Sequence, residues 1–384
     1  MIKKIIRIFI PNTKNRLLSL DFLRGVAIIL VLGRHLPDKY LAFPNSIDFI
    51  IKQWKFIGWS GVDFFFVLSG FLVSGLLFNE YKKNNSINIK RFIIRRGFKI
   101  WPAYYIYIFL IICYYTFKYR DVNIFYGLET YWPALVHIQN YISTPKFHLW
   151  SLSLEEHFYI GLSIVLFLLV KYSKKNIIKG IPILCVLFII FIPILRILNN
   201  FDLYATHMRV DGLFWGVLLS YLFHFKKNIF ISICQYQKSC LLLGFLFLIP
   251  INISTIESSI QMRGAGLSFV YIGYSLILLS FLSSKNNLNF LYTNIIGKTV
   301  SFIGFYSYSI YLWHIDLGLI PIQKILNTFQ IKNISFFYSF MVIIIYLFLS
   351  VLFGVVLGRF IEIPMLAMRD KLFPSKNKSL TSIN

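Results

Sequence analysis

The sequence predicts an all-α membrane protein, a bundle of about ten transmembrane helices with both termini on the cytoplasmic side. Three observations carry that expectation. Of the 384 residues, 57% are hydrophobic and only 14% are charged, where a soluble domain carries about 25% charged residues. Apolar runs long enough to cross a bilayer recur from end to end. The cations are also clustered. Seven Lys or Arg lie in "EYKKNNSINIKRFIIRRGFK" at 80–99, four in "KYSKKNIIK" at 171–179 and five in the first sixteen residues, while the connections 119–149 and 199–211 are nearly neutral. Such alternation marks the basic connections as cytoplasmic. The net charge of +24 therefore reports topology beside anionic lipid. The bilayer is the expected partner, and nucleic acid is not.

Taken in order, residues 1–17 form a basic cytoplasmic segment whose apolar run is short and lacks a small-residue cleavage site, so it is expected to be retained. Spans are expected near 18–37, 57–79, 100–118, 150–170, 180–198, 210–225, 235–251, 264–283, 300–322 and 334–358. The sixth is short, and "SICQYQKSC" blurs the start of the seventh. An even number returns the basic tail, 359–384, to the cytoplasm and leaves 18–358 as one transmembrane domain. Helices are required because lipid offers no partner to unpaired backbone groups. Cys113, Cys185, Cys234 and Cys240 lie in or beside apolar runs without metal-ligand spacing, so they are expected to pack, and no metal is expected.

Ionisable side chains inside spans cost about 2.5–3.5 kcal/mol each on insertion scales and mark candidate functional sites. Here they crowd into the first 160 residues: Asp21, Arg24, Arg34 and His35, then Asp63, then Arg95, Arg96 and Lys99, then His148, Glu155, Glu156 and His157. The later spans are mostly apolar with Ser and Tyr, apart from His314, Asp316 and Glu362. In "RGVAIILVLGRH", Arg24 and His35 are eleven residues apart, which is about three helical turns plus 20° and an axial separation of about 16 Å. Both then project from one face, the cation in the cytoplasmic half and the imidazole in the outer half. Taken alone, Arg24 is also consistent with a snorkelling anchor and His35 with a satisfied core histidine; their shared face shifts both toward function. In "GVDFFFVLSGFLVSGLLF", Gly70, Ser74 and Gly75 suit close helix packing. Asp63 there is expected to cap the helix or to pair with Arg24 or Arg34. Arg96 and Lys99 share a face at the cytoplasmic mouth of the third span, where a cation pair suits a phosphate-bearing ligand. In "HLWSLSLEEHFY", Trp150 is expected as an interface anchor, and the adjacent carboxylates point about 100° apart, so that one of them faces the interior.

These stretches together resemble the acyltransferase-3 family of membrane acyltransferases over nearly the whole chain. "LDFLRGVAIILVLGRH" resembles its opening signature, "GVDFFFVLSGFLVS" its second-helix signature and "RRGFKIWPAYY" its Arg-x-x-Arg element. "LWSLSLEEHFYI" resembles its Trp-Ser-Leu-Ser-x-Glu-Glu element, and "FYSYSIYLWHID" and "IEIPM" its late signatures. Two departures stand out. Lys99 replaces the second arginine, keeping the charge without the bidentate fork, and Arg34 takes a place that is usually apolar in the family. The resemblance implies transfer of an acyl group, usually acetyl, from cytoplasmic acyl-CoA to a hydroxyl of a cell-envelope glycan such as O-antigen, capsule or exopolysaccharide, in the cytoplasmic membrane of a bacterium. On that reading Arg24, Arg95, Arg96 and Lys99 hold the CoA phosphates, and His35 is the general base or the acyl-carrying nucleophile. Glu155 or Glu156 orients or stabilises its imidazolium, and Asp63, His148, Trp150, Tyr311 and His314 contact substrate. The rival is a transporter of an anionic solute, which would show repeated halves with interrupted helices at matching places.

Overall fold

The computed structural model describes residues 17–37, 40–118, 124–172, 177–198, 202–283, 287–329 and 335–374. The expected basic N-terminal segment therefore lies outside the described residues apart from Leu17, as does the tail beyond Pro374. Among the described residues every regular element is helical. In chain order these are α1 (Leu18–Arg34), α2 (Asn45–Ile57), α3 (Ser60–Asn84), α4 (Ile89–Lys118), α5 (Ile124–Leu135), α6 (Trp150–Tyr172), α7 (Ile177–Leu198), α8 (Thr206–Arg209) and α9 (Asp211–Phe225). There follow α10 (Lys227–Cys234), α11 (Gln237–Phe247), α12 (Leu267–Leu282), α13 (Asn289–Thr293), α14 (Ile295–Phe305), α15 (Ser307–Trp313), α16 (Ile320–Phe329), α17 (Phe336–Leu357) and α18 (Ile363–Leu372).

Six helices among the described residues are long and apolar enough to cross a membrane: α3, α4, α6, α7, Met262–Leu282 and Phe336–Leu372. The pair α9 and α10 passes the same test as one span bent by 110°. The chain is a multi-pass membrane protein. The short sixth span expected at 210–225 is thus the first limb of this bent pair. The expected first span, α1, has 17 residues, a rise of about 26 Å. The span expected at 300–322 is not one continuous helix. It is cut at Tyr306, and a π-helical turn, His314–Leu319, interrupts it again. Several helices fall where connections were expected, the longest of them α2 and α5 with 13 and 12 residues.

The described residues fall into two compact units, one from 17–62 and 287–364, the other from 63–283 and 365–374. In the first, α1 and α14 meet backbone to backbone. A Cβ added to Gly304 would stand 1.8 Å from the Asp21 carbonyl oxygen, and one on Gly25 2.0 Å from that of Val300. Gly304→Ala is accordingly expected to force α1 from α14, at a cost of about 1–3 kcal/mol for overpacking. The helix-propensity gain from alanine, about 0.5–1 kcal/mol, is too small to offset it. A lower yield of monodisperse protein on size exclusion in detergent checks this. A wild-type profile overturns it.

Lipid inverts the usual amphipathic logic, and α17 shows how. Phe337, Phe340, Ile344, Phe348 and Leu352 form its exposed stripe, while Ser339, Ser350 and Gly354 are among the residues it buries. By contrast α2 buries no residue. Phe49 and Ile50 are exposed there, an Asp48–Lys52 ion pair of 2.6 Å bridges successive turns, and Trp54 reaches α1. Thirteen residues with that pattern cannot span a bilayer.

In the second unit α3 and α9 approach through glycines. A Cβ on Gly70 would lie 2.0 Å from the Leu213 carbonyl oxygen, and one on Gly216 2.2 Å from that of Val67. Ser74 donates to the Gly70 carbonyl at 2.6 Å. The small residues of "LSGFLVSG" thus serve the close packing that their type suggests.

Candidate functional site

His35 follows the last residue of α1 directly, its backbone N–H donating to the Leu32 carbonyl at 3.2 Å. The last turns of the helix are pinned from two sides. The Trp54 indole N–H donates to the Ile29 carbonyl at 3.1 Å, and the Tyr346 hydroxyl donates to that of Leu32 at 3.2 Å. Gly33 makes the first contact possible, because a Cβ there would lie 2.1 Å from Trp54 Nε1. Side-chain donors on these two carbonyls fix where the residue that follows the helix emerges.

The half-buried His35 ring lies 5.1 Å, centroid to centroid, from that of His314, which is fully buried at the start of the π-helical turn. His314 Nδ1 is 2.7 Å from the Tyr311 carbonyl oxygen, and the Tyr311 ring is 5.9 Å away. A carbonyl only accepts, so Nδ1 carries the proton and Nε2 is the nitrogen left for other work. Arg24 sits toward the opposite end of α1, its guanidinium 3.5 Å from the Asp21 carboxylate. The same unit also binds Glu362, which accepts from Ser309 at 3.0 Å.

In the second unit the conspicuous cluster joins α3, α4 and α6. Glu155 accepts from Ser69 at 3.0 Å and, in a short contact, from the Tyr159 hydroxyl. Arg96 donates to Tyr159 at 2.8 Å and holds its guanidinium 4.3 Å from that ring's centre. Tyr159 is four residues from Glu155 on α6, one turn along the same face; that spacing was a signal available in the sequence. Glu156 is buried, accepting from the Trp101 indole at 3.3 Å, while its Oε1 has no hydrogen-bond partner. The two carboxylates therefore face different neighbours, as their 100° offset requires. Lys99 is half-buried one turn beyond Arg96. Arg95 points elsewhere, pairing with Asp370 at 3.1 Å and donating to the Phe373 carbonyl.

Asp63 does not pair with Arg24 or Arg34 as expected. It forms a buried ion pair of 2.6 Å with Arg209 and accepts from the Tyr271 hydroxyl at 3.0 Å. Nearby Arg196 grips Asp211 with two bonds of 2.9 and 2.8 Å and donates to the carbonyls of Met208 and Arg263. Trp150 is buried rather than an interface anchor. The Arg209 guanidinium lies 5.4 Å over its ring, and Phe66 and Tyr204 pack on it edge-on. His148 is buried against Tyr107, with ring centres 6.1 Å apart. His157 Nδ1 is 2.7 Å from the Thr206 hydroxyl.

The structure thus brings His35 together with His314 and Tyr311, and Arg96 together with Glu155. Arg196, Arg209 and Asp211 were not expected as buried ions. The apolar flank "IPILRILNN" and the near-zero charge of "MRVDG" concealed them.

Comparison with known proteins bears on these motifs directly. The family model described as an acyltransferase domain, Acyl_transf_3, matches residues 17–359. The chain is 28% identical over 320 residues to the peptidoglycan O-acetyltransferase OatA of Listeria monocytogenes, covering 77% of this chain and 48% of that protein. It is 26% identical over 376 residues to the O-acetyltransferase OatA of Staphylococcus aureus, covering 92% and 58% respectively. The chain therefore spans about half the length of these curated relatives. No solved structure matches. With the family model matching residues 17–359 of the 384, the chain belongs to the acyltransferase-3 family.

Proposed function

We propose that the protein is a membrane O-acyltransferase of the bacterial cytoplasmic membrane. It carries an acyl group, acetyl in the first instance, from cytoplasmic acyl-CoA to a hydroxyl of a cell-envelope glycan. In this reading about ten spans place both termini in the cytoplasm. The names of the two relatives point to O-acetylation, and one of them to peptidoglycan as the first acceptor to try.

The observation that carries the reading is the imidazole pair at the end of α1. His35 takes the proton from the acceptor hydroxyl as its oxygen attacks the thioester carbonyl. The carbon–sulfur bond then breaks, and the proton passes to the CoA sulfur. An imidazole suits both transfers because its ordinary pKa lies near operating pH. His314, with Nδ1–H committed to the Tyr311 carbonyl, gives His35 a neighbour that holds or relays charge. In the alternative the His35 ring itself takes the acyl group before passing it on. Arg24, Arg96 and Lys99 supply cations for the phosphates of the donor.

The test follows release of CoA from radiolabelled acetyl-CoA by the protein in nanodiscs, with and without a glycan acceptor. Acceptor-dependent release is expected from the wild type. Arg24→Ala is expected to raise the KM for acetyl-CoA by about 10- to 100-fold, the worth of a charge-assisted hydrogen bond of ~1.5–3 kcal/mol. No release under any condition, with uptake of an anionic solute into proteoliposomes instead, would replace this reading by a transporter.

A further inference from the structure

The second unit carries a cavity that none of the residues above uses. It has a volume of about 470 Å³ and is lined by Tyr81, Asn85, Ser86, Phe167 and Lys171, among others. That volume falls within the range of small-molecule pockets, roughly 300–1,000 Å³. One wall is the turn from α3 to α4, where Asn85 adopts a left-handed backbone with φ 49°. The opposite wall is the last turns of α6.

Its chemistry is mixed in a telling way. Two aromatic side chains, Tyr81 and Phe167, line a space that also receives the Lys171 side chain. Seven cations and a single acid, Glu80, lie in the 80–99 segment that supplies one wall. That acid is engaged, accepting from the Asn88 backbone N–H at 3.3 Å. Two rings beside a lysine suit a planar, phosphate-bearing ligand. A phospholipid headgroup shares the phosphate but offers no planar ring to stack on Tyr81 and Phe167.

Its position adds a second argument. Arg96 is seven residues into α4 from Ile89, about 10 Å along the helix, and Phe167 is eight residues beyond Tyr159 on α6, about 12 Å. Arg96 and Tyr159 are hydrogen-bonded to each other. Both helices therefore place the cavity a similar distance below that pair, at the end where the basic segments lie. A ligand seated there and extending along the two helices runs toward Arg96 and Lys99.

We infer that this cavity binds the nucleotide end of the acyl donor, with the purine against Tyr81 and Phe167 and the ribose phosphate beside Lys171. The inference rests on the acyl-CoA reading given above. It assigns to the α3–α4 turn and the end of α6 a task that the histidine and arginine signatures do not perform.

The experiment compares equilibrium binding of acetyl-CoA with that of acetyl-phosphopantetheine, which lacks the adenosine part, to the full chain in nanodiscs of neutral lipid. Tyr81→Ala, Phe167→Leu and Lys171→Glu are measured beside the wild type, with Tyr81→Phe as the conservative partner. Each of the first three is expected to weaken acetyl-CoA by about tenfold, to leave acetyl-phosphopantetheine within about twofold, and Tyr81→Phe is expected to behave as wild type. Unchanged acetyl-CoA binding in all three overturns the nucleotide assignment, and so does an equal loss for both donors. Displacement of acetyl-CoA from the wild type by vesicles of anionic lipid assigns the cavity to a headgroup and overturns it as well. A wild type that binds neither donor instead removes the acyl-CoA reading itself, an outcome distinct from the others because no variant is needed to see it.

Discussion

His35→Ala is expected to lower acceptor-dependent CoA release by about 10²–10⁴-fold, the ordinary contribution of a positioned acid–base group, while the protein remains monodisperse in detergent. The second half of that expectation comes from the local structure. His35 is half-buried just beyond α1, and the last turns of that helix are held by Trp54 and Tyr346 through backbone carbonyls. None of those bonds uses the imidazole. Its removal strips His314 of a neighbouring ring and leaves the helix end where it was. His314 offers the contrasting case because it is fully buried and its Nδ1–H holds the Tyr311 carbonyl. His314→Ala would mix a cavity with a lost hydrogen bond, so His314→Asn, which keeps a donor in reach of that carbonyl, is the cleaner probe. It is expected to lower the rate less than His35→Ala does and to alter the pH profile of what remains. Wild-type rates in His35→Ala would remove the base from the reaction. A hydroxylamine-sensitive acyl label on wild-type protein, absent from that variant, would select the acyl-carrier form.

The part of the site that the sequence disclosed is the part built on local spacing. Arg24 lies on α1 and His35 at its end, and Glu155 and Glu156 diverge because adjacent helical residues must. The expected spans also coincide with helices over most of their lengths, since length and apolarity are local properties. What escaped depends on partners distant in sequence. Arg209 and Asp211 sit two residues apart and cancel in any count of local charge, so the connection 199–211 passed as neutral. In the fold each has a separate buried partner, Asp63 for the first and Arg196 for the second. The helix α2 escaped for another reason. Its thirteen residues are too few to span and too polar to score as apolar, yet Trp54 and Gly33 weld it to α1. The break at Tyr306 and the π-helical turn beginning at His314 leave no mark on hydropathy, although they set where that imidazole points. Such turns recur at functional sites.

Arg209→Met is expected to lower the stability of the second unit by about 3–5 kcal/mol as the carboxylate of Asp63 is left buried without its countercharge. Both side chains are almost wholly enclosed, with relative exposures of 0% and 1%. Thermal denaturation in detergent, followed by tryptophan fluorescence, measures the loss. The double variant Asp63→Leu with Arg209→Met separates two meanings of the pair. In the native fold Asp63 Oδ1 takes both the Arg209 and the Tyr271 bonds, while Oδ2 and the Arg209 Nε and Nη1 have no hydrogen-bond partner. A pair with that many unmet groups contributes little net stability, so the double variant is expected to recover most of what the single change loses. The neighbouring pair should behave differently. Arg196 makes two bonds to Asp211 and also satisfies the carbonyls of Met208 and Arg263. Replacing both of its members orphans those carbonyls, and each buried orphan costs about 1–3 kcal/mol. Recovery at Asp211 with Arg196 is therefore expected to be partial where recovery at Asp63 with Arg209 is nearly complete. Equal recovery at both would show that unmet hydrogen bonds do not distinguish the pairs. A stable Asp63→Leu, Arg209→Met protein without transferase activity would show that the pair is retained for the reaction and not for the fold.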